Sequence, residues 1–315
     1  MSSQFPTRQI AKLGGHNGPV HTLTYSSGLG QYLLTGSSDR QIRLFNPSTQ
    51  NLIHTYSAHG YEILSLSVSA DNARFASGGG DKTVFLWDVA ACRTLRRWSG
   101  HVGRVNAVAM AGEGDSVVVS GSYDGTVRLW DCKAGGGGGG MGGGSGGGKA
   151  MMVLGEARDS VWAGSVDGKI RGYDIRTGEM FVDIIGYPIT SVTATNAGDS
   201  LLISTLDSTL RLLDLTTGKL LKAYKDPSYM NTSYRLSSTL GLHDSVVLSG
   251  SENGYIVAWD LLSDASIHKL RHDSSSNHAS APSKRDVVSA VAFCPARKEW
   301  ASAGGDGNVV VWGQA

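Results

Sequence analysis

This sequence of 315 residues has few cysteines, no long apolar run and nearly balanced charge. The three cysteines, Cys92, Cys132 and Cys294, are widely separated and form no CxxC pair, so we expect neither a disulfide framework nor a cysteine zinc site. A reducing compartment, the cytosol or the nucleus, is the natural setting for such a chain.

The sequence also gives little reason to expect attachment to a membrane or to a nucleic acid. No stretch approaches the roughly 20 apolar residues of a membrane span, and the first residues, MSSQFPTRQIAKL, include no apolar leader. The 28 basic residues nearly balance the 27 acidic ones. Net charge therefore predicts no general attraction to RNA, DNA or anionic lipid, and we expect an intracellular protein without membrane contact.

The sequence does contain a repeat. An Asp or Asn precedes a V-x-L-W-D-like run at intervals of 42, 43, 43, 40, 46 and 53 residues. The seven positions are Asp39, Asp81, Asp124, Asp167, Asp207, Asn253 and Asp306. In the third unit VNAVAM (105–110), SVVVSGS (116–122) and TVRLWD (126–131) alternate as strands do. Four short strands per unit predict an all-β fold, a single seven-bladed β-propeller over residues 8–313.

One unit contains a serine, a histidine and an aspartate that could suggest a hydrolase triad. The same set, with a tryptophan, occurs in two units: His59, Ser77, Asp81 and Trp87, and again His101, Ser120, Asp124 and Trp130. A catalytic constellation would occur once, over one pocket. The repetition therefore indicates a structural role, and we predict that the protein is not an enzyme.

These units resemble the WD-repeat family. The resemblance implies that each complete set is a buried relay, in which Trp donates to Ser, Ser bonds His and His bonds Asp. Only the second and third units have a complete set, and the first has Phe45 in place of Trp. The seventh has Ser302, Asp306 and Trp312, with His272 as a weak candidate for the histidine because a long loop follows it. The resemblance also implies that Arg8–Leu13 closes the ring as the outer strand of the last blade.

Two biased segments interrupt the repeat. Residues 135–148 contain 12 glycines in 14 positions and predict a flexible insert between blades three and four. Lys149 follows it, but Ala150 stands where a phosphate loop needs Ser or Thr. Residues 271–286 predict a mobile Ser-rich loop. Histidines near this loop have no carboxylate or Cys at ligand spacing, so we expect no metal and no cofactor.

The fourth unit is short. MMVLGEARDS leads directly into VWAGSVDGKIRGYD, without an equivalent of VNAVAM. The sequence therefore predicts a fourth blade that lacks its innermost strand. Either about ten residues, one strand and its turn, are missing near Asp159–Ser160, which we favour, or the blade is incomplete.

We expect partners to bind the face that carries the His loops and Asp turns. Tyrosine and arginine are favoured there because these residue types dominate interface hot spots. The candidates are Tyr61, Arg104, Tyr123, Arg158, Tyr187, Tyr234, Arg235 and Arg285.

Several segments are more specific than ordinary WD-repeat sequence. They are HGYEILSLSVSADNARFASGGGDKTVFLWDVA (59–90), EARDSV (156–161), AGSVDGKIRGYDIRTG (163–178), PITS (188–191), STLDSTLRLLDLTTGKLLKAYK (204–225), NTSYR (231–235) and SENGYIVAWDL (251–261). They resemble the mitogen-activated protein kinase organizer family of WD-repeat proteins. The glycine-rich insert is not part of that pattern.

This resemblance implies a non-enzymatic scaffold in the nucleus and cytoplasm. One implied role is as a component of the late spliceosome in pre-mRNA splicing, where contacts would be mostly to protein splicing factors and RNA contact at most secondary. The other is to organise a mitogen-activated protein kinase module in the cytoplasm. We favour splicing, because a small ring without docking extensions suits a large fixed assembly. An enzyme, or a substrate receptor of a ubiquitin ligase, is a weaker alternative.

Overall fold

The described strands form seven four-stranded antiparallel sheets, which confirms the all-β propeller predicted from the repeat. The computed structural model describes residues 5–133, 141–142, 153–157, 160–174, 177, 179–273 and 283–314. No helix occurs within these ranges. Blades are numbered one to seven in chain order, and the strands of each are given from the channel outwards.

Blades one to three contain twelve strands. Blade one has β2 (Val20–Tyr25), β3 (Leu33–Ser37), β4 (Gln41–Asn46) and β5 (Asn51–Ser57). Blade two has β6 (Ile63–Val68), β7 (Arg74–Gly79), β8 (Thr83–Asp88) and β9 (Arg93–Ser99). Blade three has β10 (Val105–Ala111), β11 (Val117–Ser122), β12 (Val127–Asp131) and β13 (Met141–Gly142).

Blades four to seven contain the other sixteen. Blade four has β14 (Val153–Ala157), β15 (Ser160–Gly164), β16 (Lys169–Asp174) and β17 (Met180–Ile184). Blade five has β18 (Ile189–Ala194), β19 (Ser200–Thr205), β20 (Thr209–Asp214) and β21 (Leu220–Tyr224). Blade six has β22 (Ser238–Gly241), β23 (Val246–Gly250), β24 (Tyr255–Asp260) and β25 (Ser266–Arg271). Blade seven has β26 (Ala290–Phe293), β27 (Trp300–Ala303), β28 (Val309–Gly313) and β1 (Arg8–Leu13).

The ring is closed in two ways. The innermost strand of each blade contacts that of the next, and β26 returns to β2. In addition, β1 pairs antiparallel with β28, from Arg8 opposite Gly313 to Leu13 opposite Val309. The last blade therefore combines the first strand of the chain with the last three, as the WD-repeat resemblance implies.

The core lies between the blades. Leu34 and Ile42 of blade one pack against Ile63, Phe75 and Trp87 of blade two in one buried cluster. Equivalent clusters join blades two and three and also blades five and six. Successive side chains of a strand point to opposite faces of its sheet. Each sheet can therefore pack apolar side chains against both neighbouring blades.

Serine side chains connect innermost strands that are not paired in a sheet. Ser65 Oγ accepts a hydrogen bond from Val108 N–H at 3.1 Å, and Ser67 Oγ accepts one from Met110 N–H at 3.0 Å. The Ser289 hydroxyl donates to Val20 O across the junction of the last and first blades. These bonds satisfy backbone groups that line the channel and would otherwise lack a strand partner.

The prediction of a missing inner strand in blade four is wrong. β14 pairs with β15 from Val153 opposite Gly164 to Ala157 opposite Ser160, and it contacts the innermost strands of both neighbouring blades. The sequence did not predict this strand because VLGEA lacks the alternation of apolar and polar residues that is typical of a strand. Ladder pairing uses backbone groups alone, so a sequence with weak strand character can still occupy the position that the ring requires.

Two residues of the glycine-rich insert are described. Met141 and Gly142 form β13 and pair with Leu129 and Arg128 as the outer strand of blade three. The rest of the expectation for residues 135–148 lies outside the described residues. Most of the predicted Ser-rich loop does as well, because residues 274–282 are not described.

Candidate protein-interaction face

A buried chain of hydrogen bonds fixes the loops of one face of the ring. In blade two Trp87 Nε1 donates to Ser77 Oγ at 2.8 Å, and His59 Nε2 lies 2.8 Å from the same oxygen. His59 Nδ1 lies 2.9 Å from Asp81 Oδ2. One proton arrangement satisfies every group: His59 Nδ1–H donates to the carboxylate and Ser77 O–H donates to Nε2.

Blade three repeats this relay with nearly the same distances. Trp130 Nε1 donates to Ser120 Oγ at 2.7 Å, and His101 lies 2.7 Å from Ser120 Oγ and 3.0 Å from Asp124 Oδ2. Ser120 is fully buried. Its hydroxyl is enclosed between an indole and an imidazole, which is an arrangement for holding strands together.

Blade one has the relay without the indole, and blade seven has the indole, the hydroxyl and the histidine in contact. His16 lies 2.8 Å from both Thr35 Oγ1 and Asp39 Oδ2. In blade seven Trp312 Nε1 donates to Ser302 Oγ at 2.8 Å, and His272 Nδ1 lies 2.8 Å from that oxygen. The structure thus assigns His272, a weak candidate in the sequence, to a relay.

The aspartates extend each relay into the two loops above it. Asp81 Oδ2 also accepts a hydrogen bond from Gly60 N–H at 3.0 Å, directly before Tyr61. Asp124 Oδ2 accepts one from Val102 N–H at 2.8 Å and its Oδ1 accepts one from Thr126 N–H at 2.9 Å. The relay therefore sets the position of both the His loop and the Asp turn, which are the loops that a partner would contact.

Burial and these hydrogen bonds shift the pKa values of the relay. Burial lowers the pKa of His16 and of His101, and the facing carboxylates only partly offset this, so both imidazoles are neutral at pH 7. Burial alone would raise the pKa of Asp81, but the bonds from His59 and Gly60 outweigh it and the pKa lies below its usual value. For Asp306 the same balance lowers the pKa to about 2, with His272 as the main donor.

Blades four and five hold their aspartates with arginine. Arg171 Nη2 lies 2.7 Å from Asp167 Oδ2, and Arg211 Nη2 lies 2.6 Å from Asp207 Oδ2. Each pair has an Asp-x-x-x-Arg spacing, a signal present in the sequence but not used for the prediction. Arg211 also lies 5.1 Å from the centre of the Tyr187 ring, so the ion pair supports an aromatic side chain of the face.

Blade six uses a buried glutamate. Glu252 Oε1 accepts hydrogen bonds from the N–H groups of Thr232, Ser233 and Tyr234 at 2.7, 2.6 and 2.9 Å. The segment NTSYR therefore wraps around one carboxylate. SENGY departs from the Ser-x-Asp-Gly of the repeat at Asn253, and Glu252 fills the variable position before it. An acidic residue at that variable position was the signal that sequence reasoning missed.

The structure brings together seven of the eight candidate side chains at the ends of strands on this face. Tyr61, Tyr123, Tyr187, Tyr234, Arg104 and Arg285 are exposed, whereas Arg235 is half-buried. Arg158 lies outside the described residues. Tyr123 N–H donates to Arg104 O at 2.9 Å, and the Arg104 guanidinium lies 5.1 Å from the Tyr123 ring centre. We call the six exposed residues together with Arg235 the interaction face.

Arg235 points into the channel. From the loop before β22 it crosses to the inner strands of blades two and three, where Nη1 donates to Leu64 O at 3.4 Å and also to Asn106 O. Burial lowers its pKa to about 10, and the nearby positive charge of Arg104 adds to the effect. Arg235 thus places a cation against the inner strands of blades two and three.

The described residues contain no group of three or more metal-ligating side chains and no helix that could cross a membrane. They offer hydrogen-bond donors, aromatic rings and cations on rigid loops. Aromatic rings and arginines are enriched in protein–protein interfaces.

Comparison with known proteins gives a consistent result. A family model described as "WD domain, G-beta repeat" matches residues 7–46, 50–88, 92–131 and 274–313, half of the chain. WD repeat domain-containing protein 83 of Homo sapiens is 38% identical over 83% of this chain and 82% of its own length. The protein of that name from Danio rerio is 37% identical over 98% and 93%. A homologue from Dictyostelium discoideum is 29% identical over 90% and 95%.

Proposed function

Because the chain belongs to the WD-repeat family, and within it to the group of WD repeat domain-containing protein 83, we propose that it is a non-enzymatic scaffold for protein interactions. The observation that carries this proposal is the interaction face. Four exposed tyrosines and two exposed arginines stand on loops that buried relays and ion pairs hold in place. Preorganised loops bind with little loss of conformational entropy, which favours specific recognition.

The proposed assembly is the spliceosome, in pre-mRNA splicing, with protein splicing factors as direct partners and residence in both nucleus and cytoplasm. A rigid ring with several loops on one face suits simultaneous contact with several subunits. The exposed charges of the face come from arginines separated by tyrosines, without the stacked aromatic and basic strand surface of an RNA-binding sheet.

The second candidate is a scaffold for a mitogen-activated protein kinase module in the cytoplasm. The family resemblance favours it, because the segments quoted above are those of the kinase organizer family. On this alternative, kinase-derived peptides would bind across the same interaction face.

Affinity purification of the tagged chain from nuclear and cytoplasmic extracts, with and without nuclease, tests both roles. We expect splicing factors that persist after nuclease treatment, and their loss from a Tyr61→Ala, Arg104→Ala double variant. The control pair Ile53→Ala, Arg93→Ala removes similar groups from outer strands of blades one and two and should retain them. Kinases without splicing factors would replace the first role by the second, and equal recovery with both double variants would refute the interaction face.

A further inference from the structure

A cavity of about 360 Å³ opens at the channel mouth on the interaction face. Its lining includes Arg104, Arg235, Lys284, His21 and Asn106, and the one carboxylate among its described residues is Glu62. Three cations against one anion leave an excess of two positive charges. Burial lowers the pKa of His21, so the imidazole adds no charge at pH 7.

Asn106 supplies an independent sign of a ligand. Its side chain is 2% exposed, and Nδ2 has no hydrogen-bond acceptor within the described residues. A buried amide donor without a partner is costly, and a bound molecule that accepts a hydrogen bond from it would remove that cost. The amide lies in the wall of the same cavity.

The nearby arginines are also suited to an anion. Arg235 is directed at backbone carbonyls, which do not neutralise its charge, and its positive neighbour Arg104 is close enough to lower its pKa. Among the described residues, Arg104 has a ring contact with Tyr123 but no carboxylate partner. Two like charges beside an unpaired donor form a site for oxygen anions, which accept from guanidinium and amide groups together.

We propose that the channel mouth binds an oxyanion, a carboxylate or a phosphate, carried by a side chain of a partner protein. The inference rests on the proposed function, since it defines the chemistry of a partner at the interaction face. The anion would bridge Asn106 Nδ2 and the Arg235 guanidinium, while neighbouring residues of the partner contact the exposed tyrosines.

Labelled, end-capped peptides test this directly. The probes are (Gly-Glu)4, (Gly-phosphoserine)4 and (Gly-Gln)4, titrated against the full chain by fluorescence anisotropy at constant ionic strength. We expect at least one anionic peptide to bind about tenfold or more tightly than the glutamine peptide, and the tighter of the two identifies the source of the oxyanion. Equal binding of all three would overturn the proposal, as would comparable binding of an unstructured RNA such as decauridylate.

Two variants test whether the anion binds at Asn106 and Arg235. Asn106→Leu should weaken binding of the anionic peptide about tenfold while the urea midpoint stays equal or rises, because an unpaired buried amide is replaced by an apolar side chain. Arg235→Met should weaken binding further, and Arg93→Met on outer strand β9 should leave it unchanged. An unchanged affinity in Asn106→Leu would refute the site, whatever the fate of Arg235→Met.

The purification experiment separates this inference from the proposed function. If Asn106→Leu recovers the same partners as the wild type and no anionic peptide binds, the oxyanion site is wrong and the scaffold stands. If no partner is recovered with either protein, the scaffold itself is wrong.

Discussion

His272 faces Ser302 with Nδ1, at 2.8 Å, so its ring is reversed relative to the other three relay histidines, which face their hydroxyl with Nε2. Its Nε2 then lies 3.4 Å from Asp306 Oδ1. Thirty residues separate His272 from Ser302, against 18 or 19 in the other relays. The longer connection lets the histidine enter from a different direction while the contact with the hydroxyl is kept.

The relay makes Ser120 a structural residue, and its replacement should show this. Ser120→Ala leaves Trp130 Nε1 and His101 without their shared partner, so the free energy of unfolding should fall by about 1–3 kcal/mol. Urea unfolding followed by tryptophan fluorescence measures the change. Ser249→Ala is the matched control, because Ser249 Oγ donates to the adjacent Gly250 O, and it should cost less. Equal losses in the two variants would contradict a relay.

Stability should fall as the pH drops below about 6.5. Because burial lowers the pKa of His16 and His101, the unfolded chain binds their protons more readily than the native chain. Their contribution is therefore complete above the unfolded value and is lost as the pH falls toward the lowered native values. Urea midpoints between pH 8 and pH 5.5 test this. His101→Gln cannot titrate and should show a shallower decline; an unchanged slope would exclude His101 as its source.

Phe5 anchors the segment that leads into the closing strand. Its ring lies 5.9 Å from that of Trp300 and 5.0 Å from that of His268, and Trp300 Nε1 donates to Pro6 O at 2.9 Å. Phe5 is 7% exposed, so Phe5→Ala should lower the free energy of unfolding by about 3–5 kcal/mol. Ile10→Ala, at a side chain 43% exposed, should cost under about 1 kcal/mol. Thermal or urea unfolding of the pair decides whether this segment supports closure.

Glu252 should control the order of the loop that carries Tyr234 and Arg235. Glu252→Gln removes the charge from a buried carboxylate that accepts three backbone N–H groups, and each charge-assisted bond weakens. Amide exchange at Ser233 and Tyr234 should become at least tenfold faster, with a loss of about 1–2 kcal/mol in stability. Glu113→Gln, at an exposed site, is the control and should change neither. Unchanged exchange in Glu252→Gln would exclude the carboxylate as the organiser of this loop.

Much of the fold could be read from the sequence because the signals were repeated. The Asp spacing and the alternating strands predicted seven blades, and the less common segments predicted the kinase organizer family; both are confirmed. Repetition was also what separated the Ser120 set from a catalytic triad. A single occurrence would have left that question open.

The errors arose where tertiary context decides local structure. β14 has no strand pattern, yet the ring places it in the ladder with β15. His272 lay too far from Ser302 along the chain to be paired by spacing alone. The direction of Arg235, into the channel, depends on loop geometry that Glu252 imposes from the turn between β23 and β24. Each of these three positions is set by a contact that its own sequence pattern does not show.

The pairing of β1 with β28 has a consequence for synthesis on the ribosome. β1 precedes all the other strands in the chain, and its partner follows them. Blades one to six can assemble as they emerge, but the first strand stays without a ladder until residues 309–313 are made. During that interval an unpaired edge is open to other nascent chains, so production of this ring should depend on holding β1 apart until residues 309–313 have been made.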